Sequence, residues 1–416
     1  MQKPRIAVLT DLPREASSGG HVKYWERVAQ AAVRENAPVD LTLYFSGSGP
    51  DEILSPHVRF RFLPPVFSTA RLKFLPYVPA HTDLASYHPR LAQELVHYEV
   101  IHTTDAFFAF ARTAERVARL HNIPLVTSLH TDTPAYAEFF TRQTLQGLFG
   151  AKFGGSIDTI FRISKFERAR KEKRLETHLR ACAAVMAMRD EDIALVRSVT
   201  SSDKIKPMRL GVDKDLFAPN PHARAEVMRD YEIGPGRFLV LFVGRVDAGK
   251  NIPLLIDACA AALQRGVPIH LLVVGLGPMG DTVKARLGPF ATLVGQLKPQ
   301  KLARLYAAVD CLAIASDIEI GGLVGLEALS CGCPVLVSRQ SGVAQLCGDT
   351  PAMEQVESDA TSWASALLNL AHDKTAQDYM RDSALTFRRD HLAGWNDVLN
   401  GDFIPVWQSL AGQETK

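Results

Sequence analysis

FLVLFVGRVDAGKNIPLLIDA, Phe238–Ala258, holds a strand, a loop and a helix start in one stretch. The β-branched and aromatic run Phe238–Val243 ends at Gly244, and a helix is expected from about Asn251. Arg245 and Lys250 therefore project from a strand-to-helix loop. Similar short runs recur on both sides, with helical stretches between them. Before it come Arg5–Thr10, Val39–Tyr44, Val58–Phe62, Val100–His102, Leu125–Ser128 and Ala184–Met188. After it come Ile269–Val274, Ala291–Leu293, Cys311–Ala313 and Val335–Val337. Strands alternating with helices give an α/β fold with parallel sheets. The Pro-, Gly- and Asp-rich stretch KPMRLGVDKDLFAPNPHARAE separates the two series, so two doubly wound domains are expected, over 1–219 and 220–390, with the boundary near Asn220. Trp395–Trp407 reads as part of a terminal helix over 391–416.

The composition agrees with two globular domains. The 416 residues are 47% apolar and 22% charged, and roughly 100–200 residues per domain is usual. Forty-seven basic and 45 acidic residues leave +2, so no overall field draws the chain to nucleic acid or membrane. The longest apolar run, Ala181–Met188, is far shorter than the ~20 residues of a membrane span. The N-terminal apolar stretch is too short for a signal peptide. These features point to a cytoplasmic chain whose six cysteines are thiols. Cys331 and Cys333 form a lone C-x-C without the second pair of a zinc site.

Doubly wound domains bind ligands at the carboxyl ends of their strands, so the strand-to-helix loops carry the functional reading. In ASDIEIGGLVGLEALSCGCPVLVS, Ala315–Ser338, Glu319 and Glu327 flank a glycine-containing loop that runs into a helix. The backbone N–H groups of Gly322, Leu323 and Val324 can then face an anion, with both carboxylates accepting hydrogen bonds from hydroxyls. Arg245 and Lys250, beyond Gly244, suit a diphosphate: guanidinium forks two oxygens and ammonium acts as a point charge. Gly275, Gly277 and Gly280 spell G-x-G-x-x-G, but ATLVGQLKPQ lacks the acid that a dinucleotide ribose requires. Gly19 and Gly20 form another candidate phosphate or sugar loop, and His130 directly follows a strand. The triplets Asp190/Asp192 and Asp213/Asp215 are too short to argue for a metal. The segment Ala151–Arg180 carries nine basic and four acidic residues. With Ile157, Ile160, Phe161 and Phe166 beside that charge, it has the makings of a surface for anionic lipid, or of a packed helix with a solvated face. Arg59–Pro79 mixes aromatics with cations and suggests an acceptor-side loop.

Together these residues resemble the retaining nucleotide-sugar glycosyltransferases of family four, which have the GT-B fold of two Rossmann-like domains facing a central cleft. GRVDAGKN is similar to their phosphate-binding loop. Glu319 and Glu327 reproduce their E-x7-E spacing, and Leu210–Phe217 matches their interdomain LxGVDxxxF. Gly321 departs from the aromatic residue often found there. The resemblance implies that Arg245 and Lys250 hold the donor diphosphate with the backbone of Gly322–Val324, that Glu327 binds the ribose, and that Glu319 binds the transferred sugar. It further implies that Gly19-Gly20 approaches the donor and that His130 contacts the sugar near the reacting carbon. SLHTDTPAY is similar to bacterial mannosyltransferases and sulfolipid synthases, which suggests a lipid-linked acceptor.

The implied activity is retaining, metal-independent transfer of a hexosyl group from a UDP- or GDP-sugar to a glycan or lipid-linked acceptor. It needs no cofactor, and it would place the chain in the cytoplasm or at the inner face of a membrane. A sugar-nucleotide epimerase or phosphorylase of the same fold, or a non-catalytic binding protein, are the competing classes.

Overall fold

A computed structural model describes residues 3–15, 18–69, 83–130, 138, 141–142, 144, 162–317 and 322–412. The chain forms two compact units. One ends at Leu210 and resumes at Trp395; the other is Gly211–Gly394. Asn220 thus falls inside the second unit, for a local reason. Gly211–Val212 (β9) pairs in parallel with Ala393–Gly394 (β16), and Phe217 is buried against Tyr306 with its carbonyl bound by Ser330 and Arg388.

In the first unit, β1 (Arg5–Pro13), β2 (Asp40–Ser46), β3 (Glu52–Ser55), β4 (Val58–Leu63), β5 (Val100–Thr103), β6 (Leu125–Ser128), β7 (Ala184–Ala187) and β8 (Ile205–Pro207) form one sheet in the order β3-β4-β2-β1-β5-β6-β7-β8. Every pairing is parallel except β3 with β4. Helices cover the inner strands, which explains their continuous apolar runs: Ile6–Leu9 and Leu125–Val126 are almost wholly buried.

In the second unit, β10 (Phe238–Val243), β11 (Ile269–Val274), β12 (Ala291–Gly295), β13 (Cys311–Ile314), β14 (Val335–Ser338) and β15 (Met353–Val356) take the order β12-β11-β10-β13-β14-β15, all parallel. The chain builds outward from β10 to β12, then returns to β13 on the other side of β10. That reversal makes the carboxyl ends of β10 and β13 a topological switch point, where α/β sheets take their ligands. The apolar core beneath joins Val240, Phe242, Leu255, Leu271, Ala313 and Leu336.

The terminal segment is one helical run with a π-helical turn, Leu399–Phe403, between Trp395–Val398 and Ile404–Ala411. The turn brings buried Asp402 onto Arg209, whose Nη2 is 2.6 Å from Oδ1. All six cysteines are buried free thiols.

Candidate functional site

Three strand-to-helix loops of the second unit are tied together by backbone and short polar bonds. Beyond β10 and β11 the loops continue to pair: Gly244 N–H donates to Val274 O (3.0 Å), Val246 N–H to Leu276 O (3.0 Å) and Met279 N–H to Val246 O (3.0 Å). This approach leaves no room for side chains. A Cβ on Gly275 would stand 1.9 Å from Gly244 O, and one on Gly277 2.3 Å from Val246 O. Gly275 and Gly277 are therefore packing residues against the Gly244–Val246 backbone, whereas a Cβ on Gly280 would meet only the Leu293 side chain, at 3.3 Å.

Asp247, which sequence reasoning did not single out, organises that loop. One oxygen lies 2.6 Å from Arg245 Nη2 and the other accepts the Lys250 N–H at 3.0 Å. The guanidinium is thus steadied at an exposed position, and the tight turn Ala248–Lys250 is capped. Asn251 follows with φ of 55°, a left-handed conformation that asparagine tolerates, and the helix Ile252–Gln264 begins there.

Asn251 also reaches the β13 loop, its Nδ2 donating to Ala315 O at 3.2 Å, while Ser316 Oγ donates to Gly249 O at 3.1 Å. Asp317 accepts hydrogen bonds from Ser338 and Ser358 (2.8 Å for the nearer Ser358 contact), anchoring the start of the β13 loop. Glu319, with Gly321, lies outside the described residues. The loop re-emerges at Gly322, the N-cap of the helix Leu323–Ser330. A Cβ at Gly322 would meet Val343 at 2.3 Å, so glycine is required for the helix to sit this close. The first intrahelical bond is Gly325 N–H to Gly322 O, 2.9 Å. The amides of Gly322, Leu323 and Val324 precede it, and such N-terminal amides suit an anion.

Glu327 lies half-buried on that helix, with Tyr306 Oη donating to its Oε2 at 3.3 Å. Tyr306 is fully buried, and burial together with the Glu327 carboxylate pushes its phenol pKa well above the ordinary value. It therefore stays a neutral donor that orients the carboxylate. The switch point of the second unit thus collects Gly244, Arg245, Lys250, Gly322, Leu323, Val324 and Glu327 on two adjacent, mutually bonded loops and the helix that follows.

The first unit forms a separate cluster. Gly19 caps the helix Gly20–Arg34, and His21 in its first turn stacks on His130 with ring centroids 4.7 Å apart. Gly19, Gly20 and His130 are thereby brought together at the carboxyl side of the sheet. Burial, then the neighbouring His21 and His102, holds the His130 pKa well below the usual imidazole value. His130 Nε2 bonds Ser128 Oγ at 2.8 Å.

The acidic triplets have structural partners. Asp192 is bound by Arg189 through two 2.8 Å contacts, and Asp213 accepts the Leu216 N–H at 3.2 Å. Among the described residues no group of three or more His, Cys, Asp or Glu is placed to hold a metal. Of the basic segment, Ile157, Ile160 and Phe161 lie outside the described residues, as do 70–79 of the Arg59–Pro79 stretch. The described helix Ile163–Ala181 exposes Phe166 and spends several cations on ion pairs: Arg168 with Glu172 (2.8 Å), Arg170 with Glu167 (3.0 Å) and Arg174 with Glu115 (2.8 Å). Among the described residues no helix is long and apolar enough to cross a membrane.

Residues 237–373 match the family described as Glycosyl transferases group 1. The chain is 25% identical over 333 residues to the sulfoquinovosyl transferase of Arabidopsis thaliana, covering 77% of this chain and 60% of that protein. It is 35% identical over 177 residues to the D-inositol 3-phosphate glycosyltransferase of Actinosynnema mirum, covering 39% of this chain and 42% of that protein. The chain thus spans less than two thirds of the length of these relatives. Among solved structures, sucrose-phosphate synthase from Thermosynechococcus elongatus aligns over 99% of this chain and 100% of its own with a TM-score of 0.73 at 20% identity. Anabaena HepE in complex with UDP and glucose aligns over 98% and 100% with a TM-score of 0.64 at 15% identity. The chain has the GT-B fold, and within it residues 237–373 are similar to the Glycosyl transferases group 1 family.

Proposed function

We propose that the protein is a retaining, metal-independent glycosyltransferase that moves a hexosyl group from a UDP- or GDP-sugar to a glycan or lipid-linked acceptor. The observation that carries this reading is the second-unit switch point, where a two-cation loop is bonded to a loop and helix start that offer amides and an oriented carboxylate. Departure of a nucleoside diphosphate builds negative charge on its phosphates. Fixed cations and amides there stabilise the transition state more than the ground state. Arg245, Lys250 and the Gly322–Val324 amides are assigned to the diphosphate, with Gly244 giving the backbone its approach. Glu327 is assigned to the ribose and Glu319 to the transferred sugar; in the first unit, His130 is assigned to the sugar near the reacting carbon and Gly19 with Gly20 to the donor. In retention the leaving phosphate takes the acceptor proton on the same face, so no protein base is required. Two relatives, named as a sulfoquinovosyl transferase and a D-inositol 3-phosphate glycosyltransferase, support glycosyl transfer as the reaction.

The test is formation of a glycoside of unchanged anomeric configuration from a nucleotide sugar and an acceptor. Sugar interconversion or phosphorolysis would favour the epimerase or phosphorylase class, and nucleotide binding without any turnover a binding protein. Transfer should persist in excess EDTA, because the cations and helix start offset the diphosphate charge; loss of turnover that magnesium or manganese restores would contradict this.

The two glutamates separate by what each senses. Glu327→Ala should weaken both the bare nucleoside diphosphate and the nucleotide sugar, whereas Glu319→Ala should spare the bare nucleotide and lower turnover. Hydrogen bonds to a charged acceptor contribute roughly 1.5–3 kcal/mol, about tenfold to a hundredfold in affinity or rate. Equal loss of bare-nucleotide affinity in both variants, read by calorimetry, would overturn the division.

The basic segment is proposed to bring the protein to an anionic membrane surface. Lys165 and Lys173 are exposed on the described helix, and each cation near such a surface contributes about 1 kcal/mol, less at high salt. Replacing Lys165, Arg168, Arg170 and Lys173 with Gln should reduce co-sedimentation with anionic vesicles; no binding by the unmodified protein at low salt would overturn the proposal.

A further inference from the structure

Behind His130 runs a chain of buried hydrogen bonds that ends on the C-terminal helix. Trp407 Nε1 donates to His102 Nδ1 at 3.0 Å, His102 Nε2 meets Ser128 Oγ at 3.0 Å, and Ser128 Oγ meets His130 Nε2 at 2.8 Å. Trp407, His102 and Ser128 are essentially inaccessible to solvent.

The chain has one direction. An indole nitrogen can only donate, so His102 Nδ1 is an acceptor and carries no proton. Burial holds the His102 pKa down at about 3, so the ring is neutral and its single proton sits on Nε2. That proton goes to Ser128 Oγ. The serine hydroxyl then has one proton left, and His130 Nε2 is its remaining partner among the described residues. Were His130 Nε2 also protonated, the serine oxygen would face two donors and its own hydrogen would be buried without an acceptor, which is costly.

We propose that Trp407, His102 and Ser128 act as positioning residues that hold His130 as the neutral tautomer protonated on Nδ1, presenting an N–H donor to the substrate. The assignment rests on the reading that His130 meets the transferred sugar. A donor of that kind suits a sugar hydroxyl. A cationic imidazolium there would instead oppose the positive charge that develops on the sugar as the diphosphate leaves.

The groups packed against His130 agree with neutrality. His21, from the helix Gly20–Arg34, stacks at 4.7 Å with an interplanar angle of 20°. Burial lowers its pKa to about 4, and its buried Nε2 has no hydrogen-bond partner among the described residues. Two imidazolium rings at that spacing would repel. Tyr24 lies edge-on at 4.8 Å, with its hydroxyl donated to Arg209 O at 2.9 Å. Its phenol pKa is pushed well above the ordinary value, chiefly by burial, so it adds no charge.

The test is nitrogen NMR of the full chain labelled with 15N at histidine, which reads which ring nitrogen carries the proton. The His130 signals are those missing from His130→Asn. Between about pH 5 and 8, where an ordinary histidine titrates, His130 should remain neutral with its proton on Nδ1. Ser128→Ala removes one oxygen from a buried strand end and should abolish the single tautomer and raise the His130 pKa. Trp407→Phe, three hydrogen bonds away, should also release the tautomer; if it fails to fold, Ser128→Ala alone decides. A proton on Nε2 in the unmodified protein, or Nδ1–H persisting in Ser128→Ala, would overturn the relay. Turnover of a nucleotide sugar should fall about tenfold in Ser128→Ala, the scale of one hydrogen bond; unchanged turnover with a released tautomer would overturn the positioning role. The NMR result needs no substrate, so absence of any glycosyl transfer beside the expected tautomer would count against the glycosyltransferase reading alone.

Discussion

Lys250→Gln should lower turnover by about 10²–10³-fold, the usual cost of removing one preorganised group that stabilises developing charge. Gln keeps a polar side chain in the loop but removes the charge. Lys250 lies at the end of a turn capped by Asp247, and its backbone N–H, the part that Asp247 holds, is unaffected by the substitution. The fall should therefore appear mainly in kcat, because phosphate charge grows as the bond to the sugar breaks. A variant with normal melting behaviour and near-normal kcat and KM would remove Lys250 from the diphosphate. A rise in KM alone would leave it a ground-state contact.

Gly275→Ala should damage the second unit more than any conservative surface change. The glycine has φ of +129°, which L side chains rarely adopt, and its Cβ would stand 1.9 Å from Gly244 O. That oxygen cannot retreat easily, since the Gly244 N–H is bonded to Val274 O at 3.0 Å and the two loops run side by side. Strained backbone and overpacking each cost about 1–3 kcal/mol, so a loss on the order of 3 kcal/mol is expected. At roughly 2–4 °C per kcal/mol for a unit of this size, the melting temperature should drop by about 6–12 °C. Gly234→Ala is the control: no atom lies within 4 Å of its Cβ and its φ is ordinary. Equal melting temperatures for the two variants would contradict the close packing of the loops.

The inner strands were legible because parallel strands buried on both faces carry unbroken apolar runs, as Phe238–Val243 and Ile269–Val274 do. Edge strands were not. Glu52–Ser55 is almost wholly exposed and pairs antiparallel at the sheet edge, while Met353–Val356 buries only its end residues. Neither has the composition that announces a strand. At the site, Arg245, Lys250 and Glu327 could be read from chemistry and spacing. Asp247, Asn251, Ser316 and Tyr306 could not, because their roles depend on partners across loops: Asn251 finds Ala315 O, and Tyr306 finds Glu327 across 21 residues. The relay behind His130 was hidden for the same reason, since His102 and Trp407 are 305 residues apart in sequence. The G-x-G-x-x-G motif shows the converse. Its glycines were conspicuous, yet Gly275 and Gly277 serve the close approach of two backbones.

The central claim, that the second-unit switch point holds the nucleoside diphosphate of a sugar donor, is tested most directly by calorimetric titration of the full chain with UDP and GDP. The account predicts that at least one of them binds, and that Lys250→Gln and Glu327→Ala each weaken it about tenfold or more while remaining folded. Binding of neither nucleotide, or binding left unchanged by both substitutions, would contradict it.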